Sequence, residues 1–143
     1  MSDLYHNILH AHRWIYETTD GFLGHRLLFG NPTLLLRTTG RRTGLPRTTA
    51  LTYGRDGEKT YLVVASNGGS PKPPAWLANL KTEPLCTIQI GRRHQTATAR
   101  PTLADDPDYA RRWKIVDEAN KGRYTRYQQQ TTRPIPIVEL RIN

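Results

Sequence analysis

Six short β-type runs, each bounded by glycine, proline or polar turn residues, confine most of this chain to an antiparallel sheet. They cover residues 34–38, 48–53, 59–65, 85–90, 95–100 and 135–142. Parallel strands need crossover connections of a dozen or more residues. Several of these runs are instead joined at hairpin length, which disfavours a parallel nucleotide-binding fold. Asp56-Gly57 lies between the second and third runs and is a strong turn signal, so 48–53 and 59–65 are expected to pair as a hairpin. Gly91-Arg92-Arg93-His94 joins the fourth and fifth in the same way. The run Tyr61-Leu62-Val63-Val64-Ala65 is the most apolar and is expected at the centre of the sheet. Pro134 and Pro136 at the start of the last run predict an edge strand, where a missing N–H costs little.

Helical spacing appears in three places. Residues 4–29 read as two helical pieces broken at Thr18-Thr19-Asp20-Gly21, covering the barrel end or lying on a membrane surface. A helix over 75–81 follows Pro74 and puts Trp76, Asn79 and Leu80 on one face. Asp105-Asp106-Pro107 opens a third, running to about Asn120 with Tyr109, Trp113 and Val116 as its buried stripe. The whole is an α+β chain, mainly β: one domain, with a helical segment at 1–30 and a small closed or split barrel of about six antiparallel strands at 31–143.

Charge narrows the function. The chain of 143 residues carries a formal charge of +9, which calls for an anionic partner: nucleic acid, a membrane surface or an acidic small molecule. Six arginines and no acidic residue lie between Gly21 and Arg55. Three of them, Arg41, Arg42 and Arg47, sit in the tight connection Gly40-Arg41-Arg42-Thr43-Gly44-Leu45-Pro46-Arg47-Thr48-Thr49. Arginine forks match phosphate and carboxylate geometry, so this loop is either a solvated hairpin tip or an anion site. Ser66-Asn67-Gly68-Gly69-Ser70-Pro71 is irregular, and residues 67–69 tolerate positive φ, so their amides are candidates for an anion- or carbonyl-binding concavity. An ordinary wide loop explains the same residues.

Other chemistries lack their parts. No nucleophile elbow, Walker loop or dinucleotide fingerprint occurs. His6 and His10 are four apart with no third ligand nearby, which argues against a metal site. The single cysteine, Cys86, sits in an apolar run and reads as a buried, inert thiol. No signal sequence or membrane-spanning run is evident, so a cytoplasmic location is expected, with contact at the inner membrane face through the first helix left open. The residues alone support a cofactor- or anion-binding β-barrel. A nucleic-acid-binding barrel and a carrier without turnover are the competing readings.

Three stretches resemble one family. Leu34-Leu35-Leu36-Arg37-Thr38-Thr39-Gly40-Arg41-Arg42-Thr43-Gly44 with Arg47 looks like the opening motif of the deazaflavin-dependent nitroreductases. Val64-Ala65-Ser66-Asn67-Gly68-Gly69 with Lys72, Pro74, Trp76, Asn79 and Leu80 resembles the second motif. Tyr124-x-x-Tyr127-Gln128 followed by Thr132-Arg133-x-Ile135-Pro136 resembles the third. The resemblance implies a barrel like the FMN-binding split barrels, coenzyme F420 as cofactor, and hydride transfer to a small electron-poor acceptor: a quinone, nitro compound or activated alkene. F420 is an 8-hydroxy-5-deazaflavin bearing a phosphate and an oligoglutamate tail, so it would supply the anion.

By motif position, Arg41, Arg42, Thr43, Arg47, Thr48, Thr49 and Ala50 would face the phosphate and tail. Val64, Ala65, Ser66 and Asn67 would run past the ring. Ala75, Trp76, Leu77, Ala78 and Asn79 would offer a helix N-terminus. Tyr124, Tyr127 and Ser66 would stand at the reacting centre, Tyr124 also touching the ring. One departure is visible. A family member that activates nitroimidazoles has tyrosines where this chain has Lys121 and Thr52, which weakens the expectation of nitro-drug reduction.

Overall fold

The computed structural model describes residues 31–143. The expected helices over 4–29 and the His6–His10 pair lie outside the described residues. Seven strands form a single sheet: β1 (Thr33–Thr39), β2 (Pro46–Thr52), β3 (Gly54–Arg55), β4 (Thr60–Val64), β5 (Leu85–Ile90), β6 (Arg93–Thr102) and β7 (Ile137–Ile142). Three helices accompany them among the described residues: α1 (Ala75–Thr82), α2 (Tyr109–Ala119) and α3 (Arg123–Gln128). All pairings are antiparallel, in the order β2-β1-β5-β6-β7-β4-β3.

That order closes on itself. β2 and β3 occupy opposite ends of the sheet yet are separated in the chain by Tyr53 alone. They are one bent strand whose first part pairs with β1 (Leu34 opposite Leu51) and whose last residues pair with β4 (Gly54 opposite Leu62). The sheet therefore curls until its ends meet, a barrel of six chain passes. It stays open along β2, which is paired on the β1 side only.

Three expectations are corrected here. The Asp56-Gly57 turn does lead into β4, with the Asp56 amide donating to the Thr60 carbonyl at 3.0 Å. The partner across that turn is only Gly54–Arg55, however, because the bend at Tyr53 has already carried β2 to the other end of the sheet. Pro134 and Pro136 do not mark an edge either. Pairing of β7 starts at Ile137, after both prolines, and the strand lies between β6 and β4. The centre of the sheet is β6, while the apolar β4 is next to the end.

The core follows from strand alternation. Leu34, Leu36, Val63, Ile88, Ala97, Val138 and Leu140 point into the barrel with Trp76 and Leu80 of α1. A second cluster beneath α2 and α3 gathers Leu62, Val64, Val116, Tyr124, Ile135 and Ile137, with Tyr109 and Trp113 packed against it as the spacing predicted. Cys86 is buried in the main core, and desolvation raises its thiol pKa to about 11, so it is inert as expected.

Candidate functional site

Where the barrel stays open, the gap becomes a cleft of about 630 Å³. One wall is the unpaired side of β2 with the loop before it. The other is the end of β4, the loop after it, and the start of α1.

The basic loop is stiffened by its own backbone. The Gly40 amide donates to the Leu45 carbonyl and the Gly44 amide to the Gly40 carbonyl, both at 2.8 Å. Gly44 sits at φ 73°, a conformation that costs glycine little. The Thr43 hydroxyl accepts from the Leu45 amide at 3.2 Å. This frame points Arg41, Arg42, Thr43 and Arg47 toward the cleft. Further along β2, Thr49 and Leu51 continue the face of Arg47 at the two-residue period of a strand, and Thr48 lines the open edge.

The three arginines differ. Arg41 is latched to α1: its amide and Nη1 donate to Asn79 Oδ1 at 3.2 and 3.0 Å, and Nη1 reaches the Ala75 carbonyl at 3.4 Å. Asn79 in turn donates to the Thr38 hydroxyl at 3.3 Å. The side chains of Arg42 and Arg47 make no hydrogen bond or ion pair among the described residues and stand exposed at the mouth.

The opposite wall is mostly backbone and small side chains. Val64, Ser66 and Asn67 line it, followed by Pro73, Pro74, Ala75 and Trp76 at the start of α1. Pro74 caps α1 with no side-chain acceptor, and although the Leu77 amide donates to the Pro74 carbonyl at 3.1 Å, those of Ala75 and Trp76 beside the cleft are left for an external oxygen. Positive φ is found at Asn67, Gly68 and Gly69, as their types suggested (47°, 66° and 82°). The expected cup of converging amides is not fully formed, because Gly69 and Ser70 turn their N–H groups inward onto the carbonyls of Ser66 and Asn67. That makes the segment a short 3₁₀ turn.

Other candidates lie behind the lining. Ala50 packs away from the cleft against Leu35, and Ala65 is wholly buried in the main core. Leu77 is in the core and Ala78 is half-buried outside the lining. Tyr124 and Tyr127 meet edge to face with centroids 6.2 Å apart, on one side of α3 as their spacing implied. Tyr124 is buried in the second cluster beside Val64, and its hydroxyl is hydrogen-bonded to that of Thr52. Neither ring is among the residues lining the cleft. Sequence reasoning missed Leu51 and Thr38 as lining residues. It also missed Arg133, whose guanidinium donates to the carbonyls of Ala65, Ser66 and Ser70 behind the second wall. The period-two pattern from Arg47 could have found Leu51. Thr38 and Arg133 stand within the first and third motifs, but nothing local gives either a role.

Among the described residues no aspartate or glutamate lines the cleft, while three arginines do. Its charged end thus suits a polyanion, and its inner end, between Val64, Leu51 and Trp76, suits a flat apolar body. Comparison with known proteins turns this into an assignment. A model of the F420H(2)-dependent quinone reductase family matches residues 8–141. The chain belongs to that family. It is 52% identical over 133 residues to the F420H(2)-dependent quinone reductase of Mycobacterium tuberculosis, covering 93% of this chain and 89% of that protein. Its fold matches a solved F420-H2 dependent reductase (FDR-A) with a TM-score of 0.67 at 34% identity, over 76% of this chain and 93% of that one. An FMN-binding protein related to pyridoxamine 5′-phosphate oxidase, from Nostoc punctiforme, shares the fold at TM-score 0.55 and 10% identity, over 92% and 78% of the two chains.

Membership makes this chain an F420H2-dependent reductase with coenzyme F420 as its cofactor. The residues fit that group on their own chemistry: unmatched guanidinium groups for phosphate and glutamates, and main-chain and small polar groups where ring oxygens need partners. No helix among the described residues is long and apolar enough to cross a membrane.

Proposed function

We propose that this chain reduces quinones with electrons from F420H2, and that the cofactor lies in the cleft with its acidic tail toward Arg42 and Arg47. The observation that carries the reading is the charge asymmetry of the cleft: among the described residues its mouth is cationic without counter-ions, and its inner walls hold no charged side chain. Bound there, the reduced deazaflavin supplies a hydride that the acceptor receives together with a proton. The work of the protein is to bind, orient and exclude.

Each wall has a part in this. Arg42 and Arg47 attract and anchor the anionic end. Arg41, tied to Asn79, fixes the distance between the basic loop and α1. Val64, Ser66 and Asn67 form the surface along which the ring is oriented, with Trp76 closing the inner end. Tyr124 shares a buried cluster with Val64 of this wall, and Thr52 is hydrogen-bonded to its hydroxyl. In our reading that hydroxyl supplies the hydrogen bond or proton as negative charge develops on the acceptor oxygen, and Tyr127 holds the ring in place by its edge-to-face contact. Nitro compounds and activated alkenes are electron-poor acceptors of the same kind and fall within the proposal as weaker substrates.

Titration with F420H2, followed by quinone-dependent recovery of the oxidised coenzyme's absorbance, tests the reading. Saturable binding with turnover is expected. Binding without turnover would indicate a carrier. Absence of binding, with tight salt-sensitive association to nucleic acid, would move the chain to the competing class.

A further inference from the structure

The cofactor loop after β4 is held from behind by one side chain distant in sequence. Arg133 Nη2 donates to the Ser66 carbonyl at 2.8 Å and, with Nη1, to the Ala65 carbonyl at 3.2 Å each. Nε donates to the Ser70 carbonyl at 2.9 Å. Every hydrogen bond this guanidinium makes among the described residues ends on a main-chain carbonyl of the 65–70 segment, and none on a carboxylate. The loop is also pressed onto α3. A Cβ added at Gly69 would stand 2.9 Å from both the Tyr127 carbonyl and Gln130 Oε1, and φ there is 82°. The segment needs such fastening, since Asn67, Gly68 and Gly69 are all left-handed in succession and Asn67 pays a steric cost for it.

We infer that Arg133 is a positioning residue for the reductase: it locks the Ala65–Ser70 loop in the shape that presents Ser66 and Asn67 to the cofactor cleft. Only arginine suits the task. Its planar fork reaches three carbonyls at fixed angles, whereas a lysine ammonium is a point donor. The clamp has an electrical side as well. The Ala65 and Ser66 carbonyls belong to the peptide groups that carry the Ser66 and Asn67 amides, and a cation on the oxygen strengthens the N–H at the other end of the same peptide as a donor. A positive charge outside the cleft is thereby relayed to its wall without occupying space in it. Desolvation lowers the pKa of Arg133, but a guanidinium is not deprotonated in proteins, so it stays charged.

The inference rests on the reading that F420 occupies this cleft, and the experiment separates the two. Arg133→Lys and Arg133→Ala, in the full chain, are compared with wild type by amide hydrogen exchange without ligand and by F420 titration. The expected result for Arg133→Lys is exchange at 67–70 faster by about tenfold or more, unchanged protection in β5 and β6, and F420 affinity lower by about tenfold. Methylguanidinium added to Arg133→Ala should restore part of that affinity, an effect that loss of general stability would not produce. Unchanged exchange at 67–70 in both variants overturns the clamp. Faster exchange with undiminished affinity overturns the positioning role, provided Arg42→Ala/Arg47→Ala has lost F420 binding. If that double variant also binds as wild type does, the cleft reading has failed and the inference falls with it.

Discussion

Arginines appear in two regions of this molecule with opposite company. Under α2, Arg112 donates from Nε to Asp56 at 3.1 Å and from Nη1 to Glu139 at 3.0 Å and Thr102 at 2.9 Å. Arg111 adds a second fork to Asp56 at 2.7 Å. These groups tie α2 to β6, β7 and the β3–β4 turn, and the Arg112 side chain is only 12% exposed. At the cleft mouth, Arg42 and Arg47 are exposed and have no such partner among the described residues. The contrast teaches how to read a chain of high positive charge. Matched cations hold the fold together, and unmatched cations crowded at a cleft are kept for something that arrives from outside.

The contrast can be broken or sharpened by experiment. The largest effect is expected from Arg42→Ala/Arg47→Ala. Two charge-assisted contacts at ~1.5–3 kcal/mol each, discounted for exposure, predict F420 binding weaker by about a hundredfold or more, with an unaltered melting temperature. Equal affinity in calorimetry would remove the anion site.

Arg112→Ala should do the reverse. Leaving Asp56 and Glu139 half-buried without their shared partner should cost about 3 kcal/mol in urea unfolding, while F420 affinity per folded molecule stays the same. A stability loss below about 1 kcal/mol would mean that this network contributes no more than an ordinary surface ion pair.

A smaller change, of about tenfold in kcat/KM, is expected for Tyr124→Phe if its hydroxyl assists charge development on the acceptor. Cofactor affinity should be spared, since the ring and its packing remain. Full quinone reductase activity in Tyr124→Phe, together with a large loss in Tyr124→Ala, would leave this residue as packing alone.

Acid provides the mildest test. Hydrogen bonds from Arg111, and then the charges of both arginines, hold the Asp56 carboxyl below its ordinary 3.8 despite opposing desolvation. Its contribution to stability is therefore complete above about pH 4, its unfolded range, and is lost as pH falls through the lower folded value. Asp56→Asn should flatten that part of the stability profile. An identical acid slope in the mutant would assign the loss to other carboxylates.

The sequence showed the strands plainly because period-two alternation and Gly/Pro punctuation are local signals. It also showed α1, the buried stripe of α2, and the charged mouth, whose arginines are adjacent in the chain. What it hid was long-range. The bend at Tyr53 looks like ordinary strand continuation, and only the curl of the sheet makes β2 and β3 opposite ends of it. The prolines before β7 suggested an edge because composition cannot say where pairing begins. Arg133 reaches carbonyls more than sixty residues away, and Arg41 is latched by Asn79 at a separation of 38, with no local pattern to announce either. Backbone acceptors are the least legible partners of all, since every residue has one.

Tyr53 carries a last consequence, which concerns insertions and deletions. It is the only residue between two strands that lie at opposite ends of the sheet. An added residue in the 56–59 turn or at Gly91 lengthens a hairpin at modest entropic cost. One added at Tyr53 would lengthen the bend by about 3.3 Å and swap the inward and outward faces of β3 against β4. The opening into which the cofactor fits would change with it. Among descendants of this chain, length should vary freely at the hairpin tips and stay fixed at this single link, whatever side chain it bears.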